Sequence, residues 1–87
     1  MKAEERLLEY GYESIKYLTD YSYDDALIGV TDDGRAVYDF NKMVEWLMDK
    51  EDWSDVEAIE WIECNTLRAI PYFGEGAPII MYPLPTE

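Results

Sequence analysis

The sequence predicts a small α+β protein in the order α-β-β-α-α-β, with a three-stranded antiparallel sheet packed against helices. Three observations predict it. Apolar residues recur at helical spacing near the start and in the middle of the chain, the period drops to two between Ala26 and Phe40, and a short apolar run bounded by prolines lies near the end. The 87 residues read as one domain, 1–87, with no boundary and no repeat. Apolar residues at 48% and aromatics at 15% exceed what a disordered acidic tail carries, so the chain is expected to fold. A domain this short buries only about 60–65% of its extended-chain surface, which makes self-association a live expectation.

Residues 3 to 19 read as an amphipathic helix. Leu7, Leu8, Gly11, Tyr12, Ile15 and Leu18 fall on one face, and Glu5, Glu9, Glu13, Lys16 and Asp20 on the other. Tyr10, Tyr17 and Tyr21 then form a stripe on the flank of the apolar face. A β-hairpin follows. Ala26, Ile28 and Val30 alternate with Leu27 and Gly29, Thr31-Asp32-Asp33-Gly34 supplies the turn, and Ala36, Tyr38 and Phe40 alternate with Arg35, Val37 and Asp39.

The second helix is expected over 41–50, capped by Asp39 or Asn41, with Phe40, Met43, Val44 and Leu47 inward and Trp46 out of phase. Ser54-Asp55-Val56-Glu57 reads as a capping box that opens a third helix. That helix gathers Val56, Ile59, Ile62, Thr66, Ala69 and Ile70 on one side, leaves Trp61 off the stripe, and stops before Pro71. Ile79-Ile80-Met81-Tyr82 is the third strand, with prolines confined to its ends.

Composition excludes several chemistries. There is no histidine, which removes catalytic triads, imidazole shuttles and zincin sites. Seven basic against 20 acidic residues give a net charge of −13, which argues against direct nucleic-acid binding and against attraction to anionic membranes. Cys64 is the single cysteine, so neither an internal disulfide nor a cysteine zinc site is available, and a reducing cytoplasm is expected. No export signal or spanning segment is read from the sequence. Gly74-Glu75-Gly76 is too poor for a phosphate loop, and the paired acids at 24–25 and 32–33 match no calcium loop. No enzyme activity, cofactor or metal is therefore expected.

The run from Ala26 to Phe40, the Met43-Val-Glu-Trp-Leu47 and Glu57-Ala-Ile-Glu-Trp-Ile62 helices, Asn65-Thr66 and the Pro71-Tyr-Phe-Gly…Ala77-Pro-Ile-Ile-Met-Tyr82 tail resemble a family of short acidic proteins of Firmicutes-type bacteria and their phages. The likeness covers about residues 24 to 82. It carries no catalytic or binding residue over. It implies a habitat in which small acidic proteins act as inhibitors or adaptors on host machinery, an analogy of context.

Charge is concentrated. Residues 21 to 66 hold 13 acids and 3 bases, which is −10 of the total −13. Glu45, Asp49 and Asp52 repeat at i, i+4, i+7, and Glu57, Glu60 and Glu63 at i, i+3, i+6, a ladder whose rise of about 4.5 to 6 Å suits a basic protein surface. The plainer alternative is a solvated face that keeps a small protein soluble. Val44-Glu45-Trp46-Leu47 and Ile59-Glu60-Trp61-Ile62 repeat one pattern, and each tryptophan needs cover. Cover can come from the other tryptophan, from the Tyr10/Tyr17/Tyr21 flank or from a partner. The expected function is a non-enzymatic acidic binding module, an inhibitor or nucleic-acid mimic acting on a basic host protein. Its expected partner-binding residues are Glu45, Asp49, Asp52, Glu57, Glu60, Glu63, Trp46, Trp61, Tyr10, Tyr17 and Tyr21. The alternative is a structural homo-oligomer, a homodimer with an aromatic interface and solubilising charge.

Overall fold

A computed structural model describes residues 2–85. Helix α1 spans Ala3–Glu9, and the expected helix through residue 19 is corrected by its end. Gly11 takes φ +87°, the Gly11 N–H donates to the Leu8 carbonyl (3.0 Å) and the Tyr12 N–H to the Leu7 carbonyl (2.9 Å). These are the paired bonds of a Schellman motif, which glycine at C′ closes without a steric penalty. Gly11 fits the apolar wheel by angle but terminates the helix by conformation. Space around its missing Cβ is open, so Gly11→Ala should destabilise only through backbone strain, by about 1–2 kcal/mol in a urea titration. The stripe of Tyr10, Tyr17 and Tyr21 ceases to exist as a helical feature.

The chain from 12 to 22 runs as an irregular strap. Lys16 Nζ donates to the carbonyls of Phe73 (2.5 Å) and Glu75 (2.6 Å), and the buried Leu18 N–H donates to the Tyr38 hydroxyl oxygen (3.0 Å). At its end Asp24 holds α1 in place. Its carboxylate accepts from the Ala3 N–H (2.8 Å) and its carbonyl accepts from the Arg6 guanidinium (2.7 Å).

Strands β1 (Leu27–Val30) and β2 (Ala36–Asp39) form the expected antiparallel hairpin. The Thr31 N–H donates to the Arg35 carbonyl (2.8 Å), the Gly34 N–H to the Thr31 carbonyl (2.9 Å), and Gly34 adopts φ +82°. A bulge between Leu27 and Gly29 breaks the expected alternation, so Leu27 is buried and Ile28 is 42% exposed. An extra residue on one strand inverts the phase of those before it.

Strand β3 (Ile79–Met81) completes a sheet of order β1-β2-β3. It pairs with β2 in parallel, Val37 to Ile79, Tyr38 to Ile80 and Asp39 to Met81, which corrects the all-antiparallel sheet to a mixed one. The reason is connectivity. β2 feeds directly into a helix, and the long crossover that follows returns the chain to the starting end of β2. The α+β class and the order α-β-β-α-α-β hold.

Helix α2 spans Phe40–Glu51 with Asp39 as N-cap, its carboxylate accepting from the Lys42 N–H (3.1 Å). Phe40, Met43, Val44 and Leu47 are buried, as the spacing predicts. Helix α3 (Asp55–Trp61) opens on the expected capping box: the Glu57 N–H donates to Ser54 Oγ (3.2 Å) and the Ser54 N–H to Glu57 Oε1 (2.9 Å). Beyond it the path departs from expectation. Ile62–Thr66 is a π-helical turn, α4 (Leu67–Ala69) follows, and Ile70–Phe73 is a 3-10 turn that takes Pro71 in its first turn, where no N–H is needed. The helical path therefore does not stop before Pro71. The buried side of this path is Ala58, Ile62 and Thr66, while Val56 in the first turn of α3 and Ala69 beyond the wide turn are exposed.

One hydrophobic cluster draws on α1, the strap, both hairpin strands, α2 and α3. No helix among the described residues is long and apolar enough to cross a membrane.

Candidate functional site

The two off-phase tryptophans, on α2 and α3, are bridged by a residue of the strap. Tyr21 meets Trp61 edge-on at 4.8 Å (77°) and Trp46 edge-on at 6.1 Å (71°), and Tyr23 lies 5.3 Å from Trp46. Both indoles are half-buried and packed against the core. Each edge-to-face pair of this kind contributes about 0.5–1.5 kcal/mol beyond its buried area, so the rings form a rigid wall tying the strap to α2 and α3.

Three shallow clefts border that wall. One, of about 480 Å3, is lined by Tyr17, Tyr21, Trp46, Lys2 and Lys50 with Glu4, Asp20 and Asp24. A second, of about 320 Å3, sets Trp46 beside Glu45, Asp49, Asp25 and Lys42. A third, of about 330 Å3, sets Trp61 beside Trp53, Glu57, Glu60, Cys64 and Asn65. The structure thus brings Tyr17, Tyr21, Trp46, Trp61, Glu45, Asp49, Glu57 and Glu60 to one aromatic and acidic region. Asp52, at the αL cap that follows α2 with φ +56°, and Glu63, in the π-helical turn that follows α3, are exposed and line none of these three clefts. Tyr10 does not join them. It is 77% exposed and lines a separate apolar cleft with Tyr12, Ile28 and Val30, because α1 ends before it can share a helix with Tyr17.

The basic side chains are spent largely on other groups. Arg6, Lys16 and Arg35 donate to backbone carbonyls, Arg35 Nε to Ala77 at 2.7 Å, and Lys50 Nζ stands 5.6 Å over the Trp46 ring. All six carboxylates of the two ladders are exposed. Tyr17 and Tyr21 are harder to ionise than an ordinary tyrosine. The Glu4 carboxylate raises the pKa of Tyr17 above the ordinary tyrosine value, chiefly through a hydrogen bond, and burial followed by the Glu51 carboxylate raises that of Tyr21.

Two contributors to the aromatic region, Trp53 and Tyr23, escape a reading by periodicity. Trp53 occupies the N′ position before the Ser54 cap, where a hydrophobic staple is expected, and that position was the available signal. Tyr23 and Tyr38 are fully buried. Tyr23 shares a hydrogen bond with Thr66 Oγ1 (2.8 Å) across 43 residues, and nothing in their local spacing announces it.

No protein-family model, no curated protein and no solved structure matches this chain. Function is therefore argued from the geometry of the aromatic wall and its carboxylates.

Proposed function

We propose that this protein is a non-enzymatic, cytoplasmic acidic binding module that docks on the basic surface of another protein, as a phage-type inhibitor or nucleic-acid mimic acting on a nucleic-acid-binding host enzyme would. The observation that carries the proposal is the pairing of six exposed carboxylates, on α2, its C-terminal cap, α3 and the π-helical turn, with a fixed aromatic wall, while Arg6, Lys16 and Arg35 are engaged by backbone carbonyls elsewhere. Carboxylates unneutralised by neighbours steer a basic partner and set its orientation. Half-buried indoles supply contacts that gain when water leaves. A wall already held by Tyr21 loses little freedom on docking, which lowers the cost of association.

The test uses the tagged protein beside a variant carrying Glu45→Gln, Asp49→Asn, Glu60→Gln and Glu63→Gln. All four positions are exposed, so folding should be unaffected within about 0.5 kcal/mol per site. Captured from its own cell type at low salt, a basic protein should be retained by the parent, released as salt rises through about 0.15–0.5 M, and held weakly by the variant. Equal recovery by both proteins at every salt concentration would remove the proposal.

One observation favours a second reading, a structural homo-oligomer whose charge is only solubilising. Tyr10, Tyr12 and Ile28 are 77%, 43% and 42% exposed around a cleft beside β1, an edge strand. Sedimentation at micromolar concentration decides it. A dimer that Ile28→Lys converts to monomer supports this reading, and a monomeric parent protein removes it.

A further inference from the structure

We infer that the cleft between Trp53 and Trp61 receives a single guanidinium group, the side chain of an arginine presented by a basic partner. This rests on the docking function proposed above and adds a place and a chemistry to it. The two indole centroids lie 6.5 Å apart with their planes inclined at 40°, neither stacked nor edge-on. Both rings line the cleft of about 330 Å3 whose only charged lining residues are Glu57 and Glu60.

The comparison with Trp46 is informative. Both clefts beside that ring contain lysine, and the Lys50 ammonium already stands 5.6 Å over the indole. The Trp53–Trp61 cleft has the same ingredients, indole faces and carboxylates, and is lined by no cation of its own. An indole is the strongest aromatic partner for a cation, and desolvation at its face strengthens the attraction.

The shape selects among cations. A guanidinium is flat, weakly hydrated and forked, so it stacks on an indole while its N–H groups reach a carboxylate, whereas an ammonium is a compact, strongly hydrated point charge. Glu57 already accepts from the Ser54 N–H through Oε1, which leaves Glu60 as the uncommitted carboxylate. The π-helical turn at Ile62–Thr66 carries both Cys64 and Asn65 into the lining, and Asn65 Nδ2 donates to the Trp61 carbonyl (2.9 Å), bracing that turn. Such turns recur where a helix is shaped for binding.

Cys64, exposed in the cleft and the only thiol of the chain, reports occupancy. The full chain is alkylated with neutral iodoacetamide in the presence of hexa-arginine or hexa-lysine, two peptides of equal charge. Positive charge near a thiol raises its thiolate fraction and speeds alkylation, so slowing reports occlusion. Saturating hexa-arginine should slow the reaction by about fivefold or more, and hexa-lysine by less than about twofold. Glu60→Gln should weaken hexa-arginine about threefold, more than it weakens hexa-lysine, without altering thermal stability. Equal protection by both peptides would overturn the choice of guanidinium. Binding of both without protection would overturn the cleft and leave the acidic docking face standing. Binding of neither at low salt would overturn both.

Discussion

Raising the pH from about 9 to about 12 should unfold the protein through two residues, Tyr23 and Tyr38. Both phenols are fully buried, and burial pushes each up to about 12 despite one stabilising hydrogen bond, from Thr66 at Tyr23 and from the Leu18 N–H at Tyr38. In the unfolded chain they ionise near the ordinary value of about 10. A group that is harder to ionise when folded lends stability that is complete below about pH 10 and is lost as pH rises through about 12, because the native state then holds the extra proton. Two units correspond to nearly 3 kcal/mol per group, so roughly 5–6 kcal/mol in all. A domain of this length has about 4–13 kcal/mol to lose, and the growing negative charge of an already acidic chain acts in the same direction. Circular dichroism should therefore fall in one transition that coincides with the late part of the tyrosinate absorbance rise. Complete ionisation of all eight tyrosines near pH 10 with the fold intact would contradict the burial of these two rings.

Helix α2 is readable from the sequence because three independent signals agree: a capping Asp39, an apolar face of Phe40, Met43, Val44 and Leu47, and the acidic break at its end. The capping box of α3 is readable for the same reason, since Ser54 and Glu57 name each other by type and spacing. Where one residue serves two rules, the reading fails. Gly11 satisfies a wheel by angle and ends a helix by conformation, and the second effect wins because a glycine adds almost no buried area to hold the helix together. The direction of β3 is also silent, since three apolar residues read the same in either sense and the pairing is decided by the crossover.

The candidate site is half legible by the same logic. Wheel geometry puts Trp46 and Trp61 off the core stripe, and the structure leaves both half-buried. What the wheel misses is their bridge, because Tyr21 sits in a strap with no periodicity and reaches both rings through tertiary packing. The grouping of Tyr10 with Tyr17 and Tyr21 depended on a helix that Gly11 ends. Errors in the fold thus pass directly into the site, and the ladders are interrupted in the same way: Glu45 and Asp49 lie on α2 and Glu57 and Glu60 on α3, but Asp52 falls on the αL cap of α2 and Glu63 in the π-helical turn, where regular helical spacing ends.

Removing the Tyr23 ring should cost more than any surface change, because that ring joins three features of the fold. It contacts Tyr21 at 6.3 Å and Trp46 at 5.3 Å, its hydroxyl pairs with Thr66 Oγ1 at 2.8 Å, and it occupies φ +47°, a conformation unusual for a bulky side chain. Tyr23→Ala should destabilise by about 3–5 kcal/mol, the range for emptying a buried aromatic site. Tyr23→Phe keeps the ring and isolates the hydroxyl. It leaves the buried Thr66 hydroxyl without its partner and should cost about 1–2 kcal/mol, while Thr66→Val in the same chain removes the orphan and should recover much of that loss. The cycle of the two single variants and the double variant therefore measures the coupling directly in urea. Additive losses would mean that the hydroxyls find water instead of each other. Tyr23→Phe should also reduce the alkaline loss by about half, because Tyr38 is then the one phenol left whose burial pushes it up to about 12. A variant that lost stability at neutral pH but kept the full alkaline transition would assign that transition to other groups.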